Sequence, residues 1–133
     1  MEPPKNAEVH ETLTGKFWFD EYGILYSVSK QDPPKLSPAE AKEQLDMFLK
    51  VFGQEKKCML IDAKYAKPNT PQERKEAAEM LPKLVKAMAI IVHNALGRLA
   101  INLFIGLEKP TYPMKIFKPG EEDKAVEWLK KYL

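Results

Sequence analysis

The sequence has little cysteine, little glycine and no long apolar run. Its single cysteine, Cys58, cannot form a disulfide within the chain, and its six glycines form no glycine-rich phosphate loop. The most apolar stretch, residues 95–107, is interrupted by Arg98 and Asn102 and is shorter than the ~20 residues of a membrane-spanning helix. These absences exclude a disulfide framework, the common nucleotide-binding fingerprints and an integral membrane segment, and they favour a cytoplasmic location.

Neither sign of charge dominates the chain, and residues that support catalysis are scarce. Twenty-one basic against nineteen acidic residues leave a net charge of +2, and no aromatic residues are interleaved with the basic ones, so nucleic acid is not an expected partner. His10, His93 and Cys58 lack the spacing of a metal site, and we expect neither a metal nor another cofactor. Cys58 lies in an apolar run, which predicts a buried, inert thiol. We therefore expect no enzymatic activity.

The rest of the composition is typical of one globular domain. A chain of 133 residues with 44% hydrophobic residues has the length and apolar content of a single folded unit. Residues 1–8 lack the apolar core of a secretory signal and are expected to be a flexible N-terminus. The domain is therefore expected to cover residues 9–133.

The first half of the chain predicts a hairpin and a helix. Two aromatic and β-branched runs, residues 16–19 and 24–28, flank a short turn that contains Gly23. Residues 9–14 alternate weakly and are either a further edge strand or the lead-in to the hairpin. A capping box at residues 37–40 then predicts a helix that ends at Gly53. Its expected buried stripe comprises Ala41, Leu45, Phe48, Leu49 and Phe52.

Strands and helices alternate over the second half. Apolar runs predict buried strands at residues 58–65 and 87–92 and a last strand at 114–117. A second capping box at residues 70–73 opens a helix that Pro82 should end or kink, and further helices are expected over residues 95–107 and after Gly120. The inner positions of the second helix are expected to be Ala77, Leu81, Leu84 and Val85. Those of the last helix are expected to be Ala125, Trp128, Leu129 and Tyr132.

This order of elements defines the expected fold class. Strands that alternate with helices predict an α/β domain with a mixed, mostly parallel sheet, an N-terminal antiparallel hairpin and about four helices. The same order resembles the STAS/CRAL-TRIO-like superfamily, in particular the small stand-alone bacterial domains with the SpoIIAA-like fold of the sporulation anti-sigma factor antagonist. The resemblance covers residues 9–133. The residues that carry it are Phe17-Trp18-Phe19, Ile24-Leu25-Tyr26, the segments 58–63, 84–90 and 97–107, and the ending from Ile116 to Leu129.

The resemblance implies a regulatory or ligand-binding module without catalysis. In anti-sigma factor antagonists a phosphorylated Ser or Thr caps the helix that follows the central strand, and Thr70 occupies that place here. Thr70 is therefore a candidate phosphoacceptor. An N-cap role alone is the plainer interpretation, because Pro71 stands where the family has small residues and no Asp-Ser-Gly run is present.

Polar residues that follow the strands are candidates for binding a head group or an anion. In open α/β sheets, ligands bind beyond the carboxyl ends of the strands, where helix N-termini point. Five residues are placed there by the predicted elements: Asn69, Thr70, His93, Asn94 and Arg98. The alternative is that Asn94 and Thr70 simply cap helices and that Arg98 is solvated.

The third helix is apolar on more than one face. At about 100° per residue, Leu96, Leu99, Leu103 and Leu107 form one face, whereas Ile101, Phe104 and Ile105 form another. One apolar face is enough for packing against the sheet. The second therefore predicts a dimer interface, a lid over an apolar ligand or a contact with a membrane surface. Coverage by neighbouring parts of the chain is equally compatible with the pattern. We assign the interface or lid to Ile101, Phe104 and Ile105.

Two functions remain open after these exclusions. The first is a cytoplasmic regulatory module that binds a partner protein or a second copy of itself. The second is a carrier or sensor of a lipid or other apolar small molecule, with possible contact with a membrane surface.

Overall fold

Six strands form one mixed sheet in the order of the sequence. The computed structural model describes all residues, 1–133. The first three strands pair antiparallel, and β3 to β6 pair parallel to one another. This arrangement confirms the predicted α/β fold class, and residues 9–14 contribute a short edge strand. The strands are β1 (His10–Glu11), β2 (Gly15–Phe19), β3 (Leu25–Ser29), β4 (Lys57–Asp62), β5 (Val85–Ile91) and β6 (Met114–Phe117).

Four helices accompany the sheet, and both predicted capping boxes are present. The helices are α1 (Pro38–Phe52), α2 (Pro71–Leu84), α3 (Ala95–Glu108) and α4 (Glu122–Lys130). In α1, Ser37 Oγ accepts from the Glu40 backbone N–H at 3.1 Å, and Glu40 Oε1 accepts from the Ser37 N–H at 3.0 Å. These reciprocal bonds satisfy N–H groups that have no partner inside the helix, which explains where each helix begins.

The helices form a layer on each side of the sheet. One core cluster includes Met59, Met88 and Ile90 of the sheet and has Phe48, Leu81 and Ile101 of the first three helices packed against it. The other contains Leu60, Ala89 and Ile91 of the sheet together with Ala125 and Leu129 of α4. The alternation of strand residues between the two clusters follows from the period of two of a strand. The three-layer sandwich buries β4 and β5 on both faces, as their apolar runs predict.

A register shift between β4 and β5 sets which β5 residues face each layer. Lys57 pairs with Val85 and Cys58 with Ala87, so Lys86 is an extra, exposed residue. Val85 consequently joins the cluster beneath α1 to α3, and Ala87 joins the cluster beside α4.

Several local predictions are wrong. The strand expected over residues 58–65 ends at Asp62, and Val85 begins β5 rather than completing the α2 stripe. The α2 helix continues through Pro82 and ends two residues later at Leu84, so Pro82 does not itself end the helix. On α1, Ala41 is exposed and Leu45 is 37% exposed, whereas Phe52 is buried, so this helix contacts the sheet only with its C-terminal half.

The N-terminal segment contacts the domain through Met1. Met1, in the segment expected to be flexible, packs against the cluster beside α4.

Candidate functional site

A buried carboxylate lies at the end of β4. Asp62 is 5% exposed and is the only charged side chain that is buried. Its Oδ1 accepts from the Lys64 backbone N–H at 3.0 Å, and His93 Nε2 lies 2.8 Å from the same oxygen. The imidazole and the carboxylate are thus joined by a hydrogen bond across the ends of two strands. The pair joins the carboxyl ends of β4 and β5, and the Met1 amino nitrogen lies 3.6 Å from the other oxygen, Oδ2.

A second polar cluster lies at the N-terminus of α3. The Asn94 side chain caps the helix by accepting from the Gly97 N–H at 2.8 Å, and it donates to the Lys64 carbonyl at 3.3 Å. Next to it is an open hollow of about 290 Å³. The hollow is lined by Gln31, Asp32, Lys64, Tyr65, Ala66, Lys67, Asn94 and Leu96.

The five candidate residues for binding a head group do not converge on one hollow. Thr70 caps α2 by accepting from the Glu73 N–H at 3.2 Å, and Glu73 Oε1 accepts from the Thr70 N–H at 2.9 Å. The carbonyl of Asn69 accepts from Arg74 Nη1 at 3.0 Å. Arg98 is exposed, and its guanidinium forms no ion pair. Asn94 alone among the five lines the hollow with Lys64 and Lys67, whereas Asn69 lines an opening between α1 and α2.

The structure reverses the two faces of α3. Phe104 is buried at 9% exposure, and Ile101 packs against the cluster beneath α1 to α3, whereas Ile105 is 37% exposed. The exposed side is the leucine face, which consists of Leu96 (47% exposed), Leu99 (50%), Leu107 (56%) and the half-buried Leu103. The assignment of Ile101 and Phe104 to an interface or lid is therefore wrong.

Gly97 marks the side of α3 that faces the sheet. A Cβ built there would lie 3.4 Å from the Ala63 carbonyl oxygen and 3.5 Å from Val92 Cγ1, so this side of the helix approaches the sheet closely. Phe104, seven residues further on, is on the same side of the helix and is buried with it. Periodicity alone could not find this side, because apolar residues occupy both faces.

An open apolar cleft separates α1 from α2. Its outer part has a volume of about 750 Å³ and is lined by Leu45 and Leu49 of α1 and by Ala77, Met80 and Leu84 of α2. Leu45 and Met80 also line an inner part of about 350 Å³, whose floor includes Phe17 and Val28 of the hairpin. The two parts share these residues, and we refer to them together as the α1–α2 cleft.

One glutamine fixes α1 at the side of this cleft. Gln44 Oε1 accepts from the Leu13 backbone N–H at 2.9 Å, and Gln44 Nε2 donates to Thr14 Oγ1, also at 2.9 Å. The Phe17 and Phe48 rings, 5.1 Å apart, attach the helix to β2. The middle of α1 is thus held by the β1–β2 connection and by an aromatic pair.

Sequence reasoning missed the Asp62–His93 pair, the lysines of the hollow and the cleft. An acidic residue that ends an apolar strand, with a histidine at the end of the next predicted strand, was the available indication of the pair. No pattern in the sequence indicates the cleft, because its width depends on how far α1 stands from α2.

The remaining chemistry of the chain is limited. Burial raises the pKa of the Cys58 thiol, which donates to the Leu129 carbonyl at 3.6 Å. No three His, Cys, Asp or Glu side chains are grouped so that they could hold a metal ion. None of the helices combines the length and the apolar character needed to cross a bilayer.

Comparison with known proteins identifies a family but no characterised relative. Neither the curated proteins nor the solved structures include a match to this chain. The profile of one family, described as a domain of unknown function (DUF7793), matches residues 17–133, from β2 to the last residue. The chain belongs to the DUF7793 family.

Proposed function

We propose that this domain is a non-enzymatic interaction module of the STAS-like kind that binds a partner protein in the α1–α2 cleft. The observation that carries the proposal is the cleft itself, in which Leu45, Leu49 and Met80 face an opening between two helices. Leu45 is 37% exposed, although a core residue of a single domain is normally covered. An apolar groove between helices is a recurrent docking site for an amphipathic segment.

The charges around the cleft favour a basic partner segment. Glu73, Glu76 and Glu79 line it from α2, and Lys83 is the only basic residue of its outer part. A segment with apolar anchors on one side and lysines or arginines beside them would satisfy both the floor and the rim of the cleft.

Two further observations support a binding role without catalysis. The raised pKa of Cys58 disfavours the reactive thiolate. Cys58 also precedes Asp62 by four residues on β4, about 13 Å along an extended strand, so this thiol is not adjacent to the Asp62–His93 pair.

The STAS-like assignment rests on the element order, an antiparallel hairpin followed by alternating parallel strands and helices. Thr70 as a phosphoacceptor stays a prediction; a phosphate there would face the N–H groups of α2 and also the Glu73 carboxylate.

The test measures binding of a fluorescent amphipathic peptide built from leucine and lysine. We expect Leu45→Asp to weaken binding at least about tenfold, because a charge replaces one apolar anchor in a groove. Glu79→Lys should weaken it by a smaller factor that disappears at high salt. Both variants change side chains outside the buried core, so the folded domain should persist.

The matched control is Leu133→Asp, which alters an exposed leucine (53%) that lines no part of the cleft. Unchanged binding by Leu45→Asp, or an equal loss with Leu133→Asp, would refute docking in the cleft.

A second candidate function is carriage of an apolar small molecule in the inner part of the cleft. Seven of the fourteen residues that line this part are hydrophobic, and Lys16 is its only charged residue. Such a lining suits a lipid or another apolar molecule with a polar or anionic end. Native mass spectrometry of untreated protein distinguishes the candidates: a removable adduct that Ala41→Asp, at an exposed residue of the same lining, abolishes would favour the carrier. A chain that carries no adduct and binds the peptide would favour the interaction module. A dimer that Leu45→Asp dissociates would identify the partner as a second copy of the chain.

A further inference from the structure

The exposed apolar side chains of the molecule are concentrated on α3. Nine large hydrophobic side chains are at least 36% exposed, and four of them belong to this helix: Leu96, Leu99, Ile105 and Leu107. Three of these four belong to the leucine face, which extends along a helix of 14 residues, about 21 Å. A continuous apolar stripe of this length on a single domain indicates a binding surface.

The charges beside the leucine face are almost entirely basic. At the N-terminal end of α3, Lys64 and Lys67 line the same hollow as Leu96, and Asp32 is the one acid there. Lys109 is exposed just after the C-terminal end of α3. Arg98 is also exposed, but at about 100° per residue it lies on a different side of the helix from the leucines. Glu108, the only acid of α3, is largely covered and lies 3.8 Å from Arg74 of α2, so its charge is partly compensated away from the leucines.

We infer that the leucine face docks this domain on an anionic lipid bilayer, with the leucines in the interface and the surrounding cations on the head groups. Amphipathic helices that lie in the plane of a membrane combine an apolar face with flanking lysines and arginines in this way. Each lysine or arginine near an anionic surface strengthens attachment about fivefold. The surface is separate from the α1–α2 cleft, so this inference does not depend on the proposed function.

The same charges argue against a second copy of the chain as the occupant. If two α3 helices paired in parallel through the leucine face, the lysines of the hollow would meet their counterparts. If they paired antiparallel, they would approach Lys109 of the other copy. Either orientation places like charges together with no exposed acid of the helix to compensate them, which is unfavourable.

The experiment measures co-sedimentation of the full chain with lipid vesicles. The vesicles contain either phosphatidylcholine alone or equimolar phosphatidylcholine and phosphatidylserine, each at low and at high salt. We expect binding to the anionic vesicles that weakens with salt, and much weaker binding to phosphatidylcholine alone.

Two pairs of variants test the surface itself. Leu99→Glu combined with Leu107→Glu should lower partitioning at least about tenfold, because two exposed anchors become charged. Leu13→Glu, a similarly exposed leucine elsewhere, should leave it unchanged. Lys64→Glu combined with Lys67→Glu should lower it by a similar factor, whereas Lys56→Glu, in the connection between α1 and β4, should have little effect. Equal urea midpoints verify that each variant is folded.

Three results would overturn the inference. The first is no binding of the wild-type chain to anionic vesicles at low salt, and the second is binding that the leucine variants leave intact. The third is a dimer in native mass spectrometry that Leu99→Glu and Leu107→Glu dissociate, which would show that a second copy covers the face. None of these results bears on peptide binding in the cleft.

Discussion

Asp62 is the residue with the most unusual surroundings in the molecule. A buried carboxylate is stable only when its oxygens are hydrogen-bonded, and His93 and the Lys64 N–H satisfy Oδ1 here. Because these contacts join the ends of β4 and β5 at the start of the segment that leads into α3, the pair positions the edge of the sheet where ligands commonly bind in this class of fold.

We expect the Asp62–His93 bond to contribute measurably to stability. Removing the imidazole in His93→Ala should cost about 1–3 kcal/mol, since it removes one of the two hydrogen-bond partners of a buried carboxylate oxygen. Asp62→Asn should cost a similar amount, and the double variant should cost less than the sum of the two. Urea unfolding of the four proteins gives the coupling energy, with exposed Asp32→Asn as the control that should change stability by less than about 0.5 kcal/mol. Strictly additive effects would mean that the two side chains do not interact.

At the scale of elements, α3 illustrates where sequence patterns stop being informative. The bounds of this helix follow from Asn94 at its start and Pro110 after its end, and the structure confirms them within one residue. The rotation of the helix about its own axis cannot be predicted from these residues, because leucines cover one side while Ile101 and Phe104 cover another. In the structure the side that contains Gly97 lies against the Ala63 carbonyl, and this contact joins residues 34 positions apart in the sequence.

The two glycines of α3 give a matched test of this rotation. Gly106 has open space where a Cβ would be, so Gly106→Gln should stabilise the domain by several tenths to about 1 kcal/mol through helix propensity. At Gly97 the same side chain would meet Ala63 and Val92, so Gly97→Gln should destabilise it by about 1–3 kcal/mol. Thermal unfolding of both variants measures the difference. Equal effects at the two positions would show that Gly97 does not face the sheet.

At the scale of the whole molecule, the order of strands and helices could be predicted, and the site could not. The two capping boxes, the hairpin around Gly23 and the apolar strand runs each report on a few neighbouring residues, so they can be read from sequence. The α1–α2 cleft and the Asp62–His93 pair depend on distances between segments about thirty residues apart. Of the predicted site residues, only Asn94 lines the hollow at the N-terminus of α3. Lys64 and Lys67, which line the same hollow, belong to no sequence motif that would have identified them.

Alkaline pH should destabilise the whole domain, because the fold raises the pKa of three groups, two of them buried and one half-buried. Burial raises the pKa of Cys58, of Tyr26, whose OH also donates to Asp20 Oδ2 at 3.0 Å, and of Tyr112, whose pKa is raised to about 12. Each group has a higher pKa in the folded chain than in the unfolded chain, where the ordinary values are 9.0 for the thiol and 10.0 for the phenols. The stability they provide is complete below pH 9 and is lost progressively as the pH rises towards 12 and the unfolded chain alone releases protons.

Urea midpoints at increasing pH test this expectation, and Tyr112→Phe isolates one contribution. The Tyr112 hydroxyl is buried without a hydrogen-bond partner, so its removal should be neutral or stabilising by up to about 1 kcal/mol at pH 7. Because phenylalanine does not ionise, the variant should lose less stability than the wild type between pH 10 and 12. Tyr26→Phe is the counterpart, since it should also flatten the alkaline loss but cost about 1 kcal/mol at pH 7 through the lost bond to Asp20. If the urea midpoints of the wild type and Tyr112→Phe changed in parallel with pH, the Tyr112 hydroxyl would be accessible to water in the folded domain.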